Sequence, residues 1–192
     1  IHKLRDIRTL LNKTKSKNLV MIASAEKNSG TSFFARNIAA VSSFDAYRTS
    51  LLVDCNIENQ SVVKVFDLHD TKGLLDYIYD SKVDVADIIN SVGIKRYRCI
   101  AAGKLKSESE EYLMHPRFKE LLVGLKNRYK DRIIFIDSPP LLDSANAKIL
   151  LEMCDQVILV SPLGKISTKK LEAASNLIPK DKFSGIVIND YF

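Results

Sequence analysis

Residues suited to phosphate chemistry lie in one loop near the start of the chain. An apolar run over residues 18–23 leads into a small polar loop, and Phe34, Ile38 and Val41 then recur at helical spacing. In such a strand–loop–helix, backbone N–H groups and the positive end of the helix face an anion, and glycine lets the backbone approach it closely. The pattern is typical of a phosphate-binding loop.

This loop lacks the residue that usually supplies its charge. A P-loop ends in Gly-Lys-Ser/Thr, and its lysine contacts the β- and γ-phosphates of the nucleotide. The present chain has Gly30, Thr31 and Ser32 at these positions. The sequence therefore predicts the backbone of a nucleotide-binding loop without the lysine that usually supplies its positive charge.

Small polar side chains end five of the apolar strands, and two of them are carboxylates. The five residues are Ser24, Asp54, Asp137, Ser161 and Asn189. Ligands of open α/β sheets bind at the carboxyl ends of the strands. A single Asp after a strand is most often a turn residue or helix cap, but two of them beside a phosphate-binding loop favour a shared site.

The elements that position these residues predict an α/β fold with a mainly parallel, doubly wound sheet, because strands alternate with helices. Strands are predicted at 18–24, 50–54, 98–103, 132–137, 156–161 and 185–189. Helices are predicted at 1–12, 31–45, 118–129 and 171–178, with short helical pieces between 60 and 95. An exposed loop is predicted at residues 104–111. Residues 1–192 are expected to form a single P-loop-like domain, with 1–17 as a basic N-terminal helix and connector.

Composition excludes several other classes of protein. Of the 192 residues, 46% are hydrophobic and 27% charged, as in ordinary globular proteins. No apolar run reaches the roughly 18 residues of a membrane span. The three cysteines form no CxxC pair, which argues against a zinc site and suits a reducing cytoplasm.

The net charge of +6 is concentrated at one end of the chain. Residues 1–17 hold six basic residues and one acid. A basic end can meet nucleic acid, anionic lipid or an acidic partner, or it can be a solvated helix face. The sequence has no nucleic-acid recognition motif and no interleaved aromatic patch, so no specific nucleic acid is expected as a partner.

Several short segments, taken in order, resemble the bacterial tyrosine autokinases of capsule and exopolysaccharide biosynthesis. These enzymes belong with the septum-site and chromosome-partition ATPases of the deviant P-loop class. The segments lie at 24–39, 51–54, 73–78, 101–103, 115–121, 133–140 and 157–160. No single segment is decisive, but their order and spacing together are fairly specific.

The resemblance implies a set of functional residues. Ser32, Asp54 and Asp137 match the positions that serve Mg²⁺, and the two aspartates are the catalytic candidates if the site is active. Asn189 matches a position near the adenine base. ATP or ADP would be bound by Asn189 and by loop residues Lys27, Asn28, Ser29, Gly30, Thr31, Ser32 and Phe33.

The chain departs from the family pattern where the chemistry is done. Thr31 replaces the lysine, Asn28 the first glycine, Asn56 the second Asp of the Asp-x-Asp-x-Arg motif, and Glu58 its Arg. Losing the lysine removes charge stabilisation that phosphoryl transfer depends on, typically worth about 10²–10³ in rate. The amide of Asn56 cannot act as a general base. The status of this chain as an enzyme is therefore open.

Three hypotheses follow from these departures. The preferred one is a degenerate kinase-like domain with little or no phosphotransfer, which acts as a partner-binding or nucleotide-sensing module. The second is a working tyrosine autokinase or ATPase, with Lys27 or a neighbouring subunit supplying the missing cation. A partition-type, DNA-associated ATPase is the weakest reading.

Partners and location follow from the same resemblance. The expected partner is the membrane polysaccharide co-polymerase that controls chain length, with the domain on the cytoplasmic side of the plasma membrane through that partner or through a segment N-terminal to the sequence. The oligomerisation motif Glu-x-x-Arg-x-x-Arg reads His2, Arg5 and Arg8 here. A homo-oligomer through Arg5 and Arg8 is expected to lack the contact of the missing glutamate.

Overall fold

A seven-stranded sheet with strand order β3-β4-β2-β5-β1-β6-β7 forms the centre of the molecule. The computed structural model describes residues 2–12, 17–104, 109–128 and 131–190. The strands are β1 Leu19–Ser24, β2 Thr49–Asp54, β3 Asn90–Ser91, β4 Tyr97–Ile100, β5 Arg132–Asp137, β6 Gln156–Pro162 and β7 Phe183–Asn189. Every neighbouring pair is parallel except β3–β4. The predicted mainly parallel, doubly wound α/β fold is confirmed.

Helices cover both faces of this sheet. They are α1 His2–Asn12, α2 Thr31–Ser42, α3 Ser61–Phe66, α4 Leu74–Tyr79, α5 Val85–Ile88, α6 Pro116–Arg128, α7 Ala145–Met153 and α8 Thr168–Leu177, with a 3₁₀ helix at Ser109–Met114. Along β1, Leu19 and Met21 enter the core on one face, while Val20 and Ile22 enter the core on the other. Burial on both faces explains the continuous rather than alternating apolar pattern of the strands.

Several elements of the structure differ from the prediction. Helix α2 ends at Ser42 rather than at residue 45, and β4 ends at Ile100 rather than at residue 103. Helix α7 and the short strand β3 were not predicted. Part of the predicted loop at 104–111 is the start of the 3₁₀ helix, whose Tyr112 is 1% exposed and donates a hydrogen bond to the carbonyl oxygen of Cys55 at 2.6 Å. This buried contact draws the segment inward.

The backbone after β4 turns away from the sheet because it pairs with α4. The Leu74 N–H donates to the Ala101 carbonyl at 2.8 Å, and the Leu75 N–H donates to the Ala102 carbonyl at 2.9 Å. A Cβ atom on Gly73 would lie 2.4 Å from the backbone nitrogen of Gly103. Two segments that carried the family resemblance, 73–78 and 101–103, therefore touch backbone to backbone, and only glycine fits at the crossing.

The basic N-terminal helix packs on α2. Leu4, Ile7 and Leu11 join the core on the face of the sheet that α2 covers. The Arg8 guanidinium is half-buried and donates to the carbonyl of Val41 at 3.2 Å, whereas Arg5 is exposed. Of the two arginines predicted to serve an oligomer, Arg5 is thus the accessible one, and the oligomer itself stays a prediction. Residues 13–16 of the predicted connector lie outside the described residues.

Candidate functional site

The loop between β1 and α2 has the tight backbone expected of a phosphate-binding loop. Gly30 has φ 81° and Asn28 has φ 61°, both in the left-handed region. Asparagine adopts this conformation more readily than other residues with a side chain. Asn28 therefore keeps the backbone shape in place of the family glycine. The Ser29 hydroxyl closes the loop by donating to the Glu26 carbonyl at 2.8 Å.

The N-terminus of α2 opens into a cavity of about 590 Å³. Gly30 offers no side chain to cap the helix, and the first turn contains no acidic residue. The free N–H groups of such a helix end attract an anion. All seven loop residues predicted to bind nucleotide, residues 27–33, line the cavity, and Arg36, Asn56, Glu58 and Ser61 join them.

Asp54 and Asp137 lie side by side behind this cavity. They are paired in register on the neighbouring strands β2 and β5, and both are fully buried. Asp54 accepts hydrogen bonds from the N–H groups of Asn56, at 3.1 Å, and Val62, at 3.2 Å. Asp137 Oδ2 accepts from the Ser61 hydroxyl at 3.4 Å, while its Oδ1 has no hydrogen-bond partner among the described residues.

Burial disfavours the ionised form of both carboxyl groups. It raises the pKa of Asp137 to about 6, against the opposing effects of the Ser32 hydroxyl, the Arg36 guanidinium and the Ser61 hydroxyl. Burial also raises the pKa of Asp54 well above its usual value, and the charge of Asp137 raises it further. The two carboxyls therefore favour a state in which a proton, or another positive charge, is held beside them.

Replacing Asp137 with Asn is expected to stabilise the fold at neutral pH. A carboxyl whose pKa is higher in the folded state binds protons more tightly when folded, so wild-type stability falls as the pH rises from about 4 to about 6. The neutral amide avoids this loss. We expect Asp137→Asn to gain about 1 kcal/mol at pH 7.5, and urea unfolding at pH 5 and 7.5 measures it. The same pH dependence in both proteins would contradict this assignment.

The carboxyls and the Ser32 hydroxyl are the oxygen ligands that Mg²⁺ prefers. Magnesium in nucleotide sites is usually held by one or two carboxylates, with phosphates and water completing the shell. The Oδ1 of Asp137, which has no hydrogen-bond partner among the described residues, is an oxygen of that kind. The described residues contain no group of three or more His, Cys, Asp or Glu side chains that could hold a metal ion by themselves. Both aspartates are fully buried and do not line the cavity itself, so of the predicted ligands only Ser32 faces it directly. A magnesium ion held there would need a phosphate and water to complete its shell.

Lys27, one of the two predicted sources of the missing cation, is engaged elsewhere. Its Nζ lies 2.7 Å from Oε2 of Glu58, and both side chains are largely exposed. Glu58 stands where the family motif has Arg. A second ion pair joins Glu26 to Lys170 of α8. Glu58, the acidic residue that replaces the arginine of the second motif, thus pairs with Lys27 of the phosphate-binding loop.

Asn189 lies against the loop itself. Its Nδ2 donates to the Ser29 carbonyl at 3.4 Å, and a Cβ on Gly30 would lie 2.0 Å from the same atom. The amide therefore supports the loop from behind and does not line the cavity. Its predicted place near an adenine base stays a prediction.

Arg36 is a charged cavity residue that sequence reasoning did not single out. It lies four residues after Ser32 on α2 and lines the cavity. Its position one helical turn beyond a predicted phosphate ligand is the signal that points to it, because residues at i and i+4 share a helix face.

Curated relatives of this chain are named as tyrosine-protein kinases. No protein-family model matches the chain. It is 28% identical over 178 residues to the tyrosine-protein kinase CpsD of Streptococcus agalactiae, which covers 91% of this chain and 75% of that protein. It is 25% identical over 197 residues to the tyrosine-protein kinase wzc of Salmonella typhi, which covers 100% of this chain.

The chain is much shorter than some of these relatives. It spans 27% of the Salmonella protein. It spans 21% of a Klebsiella pneumoniae relative from a cps region, to which it is 29% identical over 155 residues. None of the helices in the described part of the chain is both long and apolar enough to cross a membrane.

Solved structures share the fold. The kinase domain of the Escherichia coli tyrosine kinase ETK matches with a TM-score of 0.86 and 22% identity, over 97% of this chain and 73% of that one. The septum site-determining protein MinD of Pyrococcus horikoshii, complexed with Mg-ADP, matches with a TM-score of 0.71 and 19% identity, over 90% of this chain and 70% of that one. The resemblance predicted from the sequence is confirmed: the homologues carry the name tyrosine-protein kinase, and the fold is that of these kinase and P-loop ATPase domains.

Proposed function

We propose that this chain is a nucleotide-binding module of the tyrosine-kinase type, with little or no phosphotransfer, in a capsule or exopolysaccharide machinery. One observation carries the proposal. The phosphate-binding loop and the buried aspartate pair are both intact in shape, while the lysine position at the start of α2 is Thr31. Backbone N–H groups and a helix end bind phosphate without a lysine. Lowering the barrier of transfer, in contrast, depends on the missing charge.

The second candidate is an active tyrosine autokinase or a related ATPase of the same pathway. The paired carboxyls of Asp54 and Asp137 favour it, since burying two like charges is costly and they suit Mg²⁺ bound with a nucleotide. The names of the relatives favour it as well. The pairing of Lys27 with Glu58 and the amide at Asn56 weigh against it.

The proposed setting is the cytoplasmic face of the plasma membrane. There the chain, as one domain over residues 1–192, would contact a membrane polysaccharide co-polymerase, with a homo-oligomer through α1 as a further contact. The exposed Arg5 and the basic charge of residues 1–17 support an acidic partner surface. Specific nucleic acid is not part of the proposal.

Isothermal titration calorimetry with ADP and ATP, with and without Mg²⁺, tests nucleotide binding. We expect binding that Mg²⁺ strengthens, and no phosphotyrosine after incubation with Mg-ATP. If neither ADP nor ATP binds, only the partner-binding role of the proposed function would remain. Phosphotyrosine that disappears in an Asp137→Ala variant would establish the second candidate instead.

Removing the Lys27 side chain separates the two candidates. Because its ammonium group is exposed and paired with Glu58, a Lys27→Ala variant is expected to bind ADP within twofold of the wild type and to melt at the same temperature. Calorimetry and a thermal melt measure both. A matched Glu58→Gln variant, which breaks the same ion pair from its other side, serves as the control. ATP turnover that is present in the wild type and lost in Lys27→Ala alone would favour the working enzyme.

A further inference from the structure

A positive charge is present in the cavity one helical turn beyond Ser32. Arg36 lies on the cavity-facing side of α2, where it lines the same cavity as Ser32, Asn59 and Ser61. Side chains of a helix lean toward its N-terminus. The long side chain of Arg36 is therefore expected to lean toward the loop.

The Arg36 guanidinium keeps a hydrogen-bond donor that no described residue uses. Its Nη1 is buried and has no hydrogen-bond partner among the described residues. Its own carbonyl accepts from the Tyr97 hydroxyl at 3.4 Å, which fixes the backbone but not the guanidinium. A buried donor without a partner costs free energy, and an anionic ligand would remove that cost.

The charge of Arg36 also acts on the carboxylate pair. The guanidinium lowers the pKa of Asp54 and of Asp137, so it lies close enough to both to interact electrostatically. Two carboxylates would otherwise repel a phosphate brought into this cavity. Arg36 offsets part of that repulsion at the place where the loop lacks its lysine.

We propose that Arg36 is the phosphate-binding cation of this site and holds the diphosphate group of the nucleotide together with the N–H groups at the start of α2. Guanidinium suits the role, because its planar fork donates two parallel hydrogen bonds to phosphate oxygens. This inference rests on the proposed nucleotide-binding function. It goes further in naming the residue that replaces the loop lysine, and it excludes Lys27 from that role.

Titration of inorganic pyrophosphate and of ADP at pH 8 in EDTA tests this assignment, since EDTA leaves the protein as the source of positive charge. We expect the wild type to bind both compounds and Arg36→Gln to bind both at least tenfold more weakly. Arg36→Lys, which keeps the charge but loses the fork, is expected to fall between them. Lys119→Gln, which removes an exposed charge on α6 outside the cavity, is the matched control and is expected to bind like the wild type. Thermal melts of each variant establish that it is folded.

The outcomes separate this inference from the proposed function. Equal pyrophosphate affinity in Arg36→Gln and wild type, or no pyrophosphate binding by the wild type, overturns the assignment of Arg36. If the assignment of Arg36 is overturned but the wild type still binds Mg-ADP, the nucleotide-binding function stands without a role for Arg36. If pyrophosphate binding depends on Arg36 but neither ADP nor ATP binds under any condition, the anion site stands and the nucleotide-binding function falls.

Discussion

A Gly73→Ala variant is expected to lose about 3 kcal/mol of its free energy of unfolding. The added methyl carbon would lie 2.4 Å from the nitrogen of Gly103 and 2.5 Å from the carbonyl oxygen of Ala101. Both atoms are backbone and cannot swing aside as a side-chain end could. Relief requires α4 to move off the segment after β4, which breaks the hydrogen bonds of Leu74 and Leu75.

Urea unfolding of Gly73→Ala beside Gly124→Ala measures this loss. Gly124 lies inside α6, and a Cβ there meets no atom within 4 Å. Alanine in an exposed helix interior is favoured over glycine by about 1 kcal/mol, so this control is expected to gain stability. A loss below about 1 kcal/mol for Gly73→Ala would mean that the two backbone segments separate easily.

A Thr31→Lys variant is expected to bind ADP roughly 30-fold more tightly than the wild type, since a hydrogen bond to a charged group contributes about 1.5–3 kcal/mol. Thr31 is 7% exposed and begins α2 at the wall of the cavity, so a longer side chain must extend into that space. There it would face the anion that the helix end attracts. Calorimetry in Mg²⁺ measures the change.

Thr31→Met separates charge from length in this experiment. Methionine has nearly the length of lysine without its charge, and it is expected to give no gain in affinity. We also expect no phosphotyrosine from Thr31→Lys alone, because Asn56 still lacks a carboxylate, whereas the double variant with Asn56→Asp is the one expected to regain transfer. Equal tightening by lysine and methionine would show that packing, not charge, limits binding.

Two of the motif changes are each offset by a neighbouring basic residue. The family arginine has become Glu58, and Glu58 pairs with Lys27 across the mouth of the cavity. Loss of the loop lysine at Thr31 is offset from inside the cavity by Arg36 under the inference above. The substitutions therefore redistribute charge around the site without emptying it of positive charge.

The sheet could be predicted from the sequence because its strands are apolar on both faces. β2 and β5 end at Asp54 and Asp137 as predicted, since the run of apolar residues in each strand ends where the first carboxylate appears. Helix α7 was missed because a proline-rich turn comes shortly before it and its start is marked only by the side chain of Ser144. β3 was missed because two residues carry no periodicity.

The site was predictable where it depends on local chain order, and less so where distant segments meet. The loop at 27–33 and its relation to α2 follow from sequence neighbours alone. The Lys27–Glu58 pair joins two loops that only the fold brings together. That Arg36 reaches the cavity depends on the direction of its side chain and on the neighbouring α3, which one-dimensional periodicity cannot supply.

The strand order also determines when the phosphate-binding loop can form during synthesis. β1 carries the loop and leaves the ribosome before its two neighbours in the sheet, β5 and β6, which begin at Arg132 and Gln156. Pairings between segments far apart in the chain form slowly, because a long loop must close first. The nascent chain must therefore keep the apolar strand β1 unpaired until β5 and β6 have been translated. Folding that waits on the second half of the chain makes β1 the segment most in need of a chaperone.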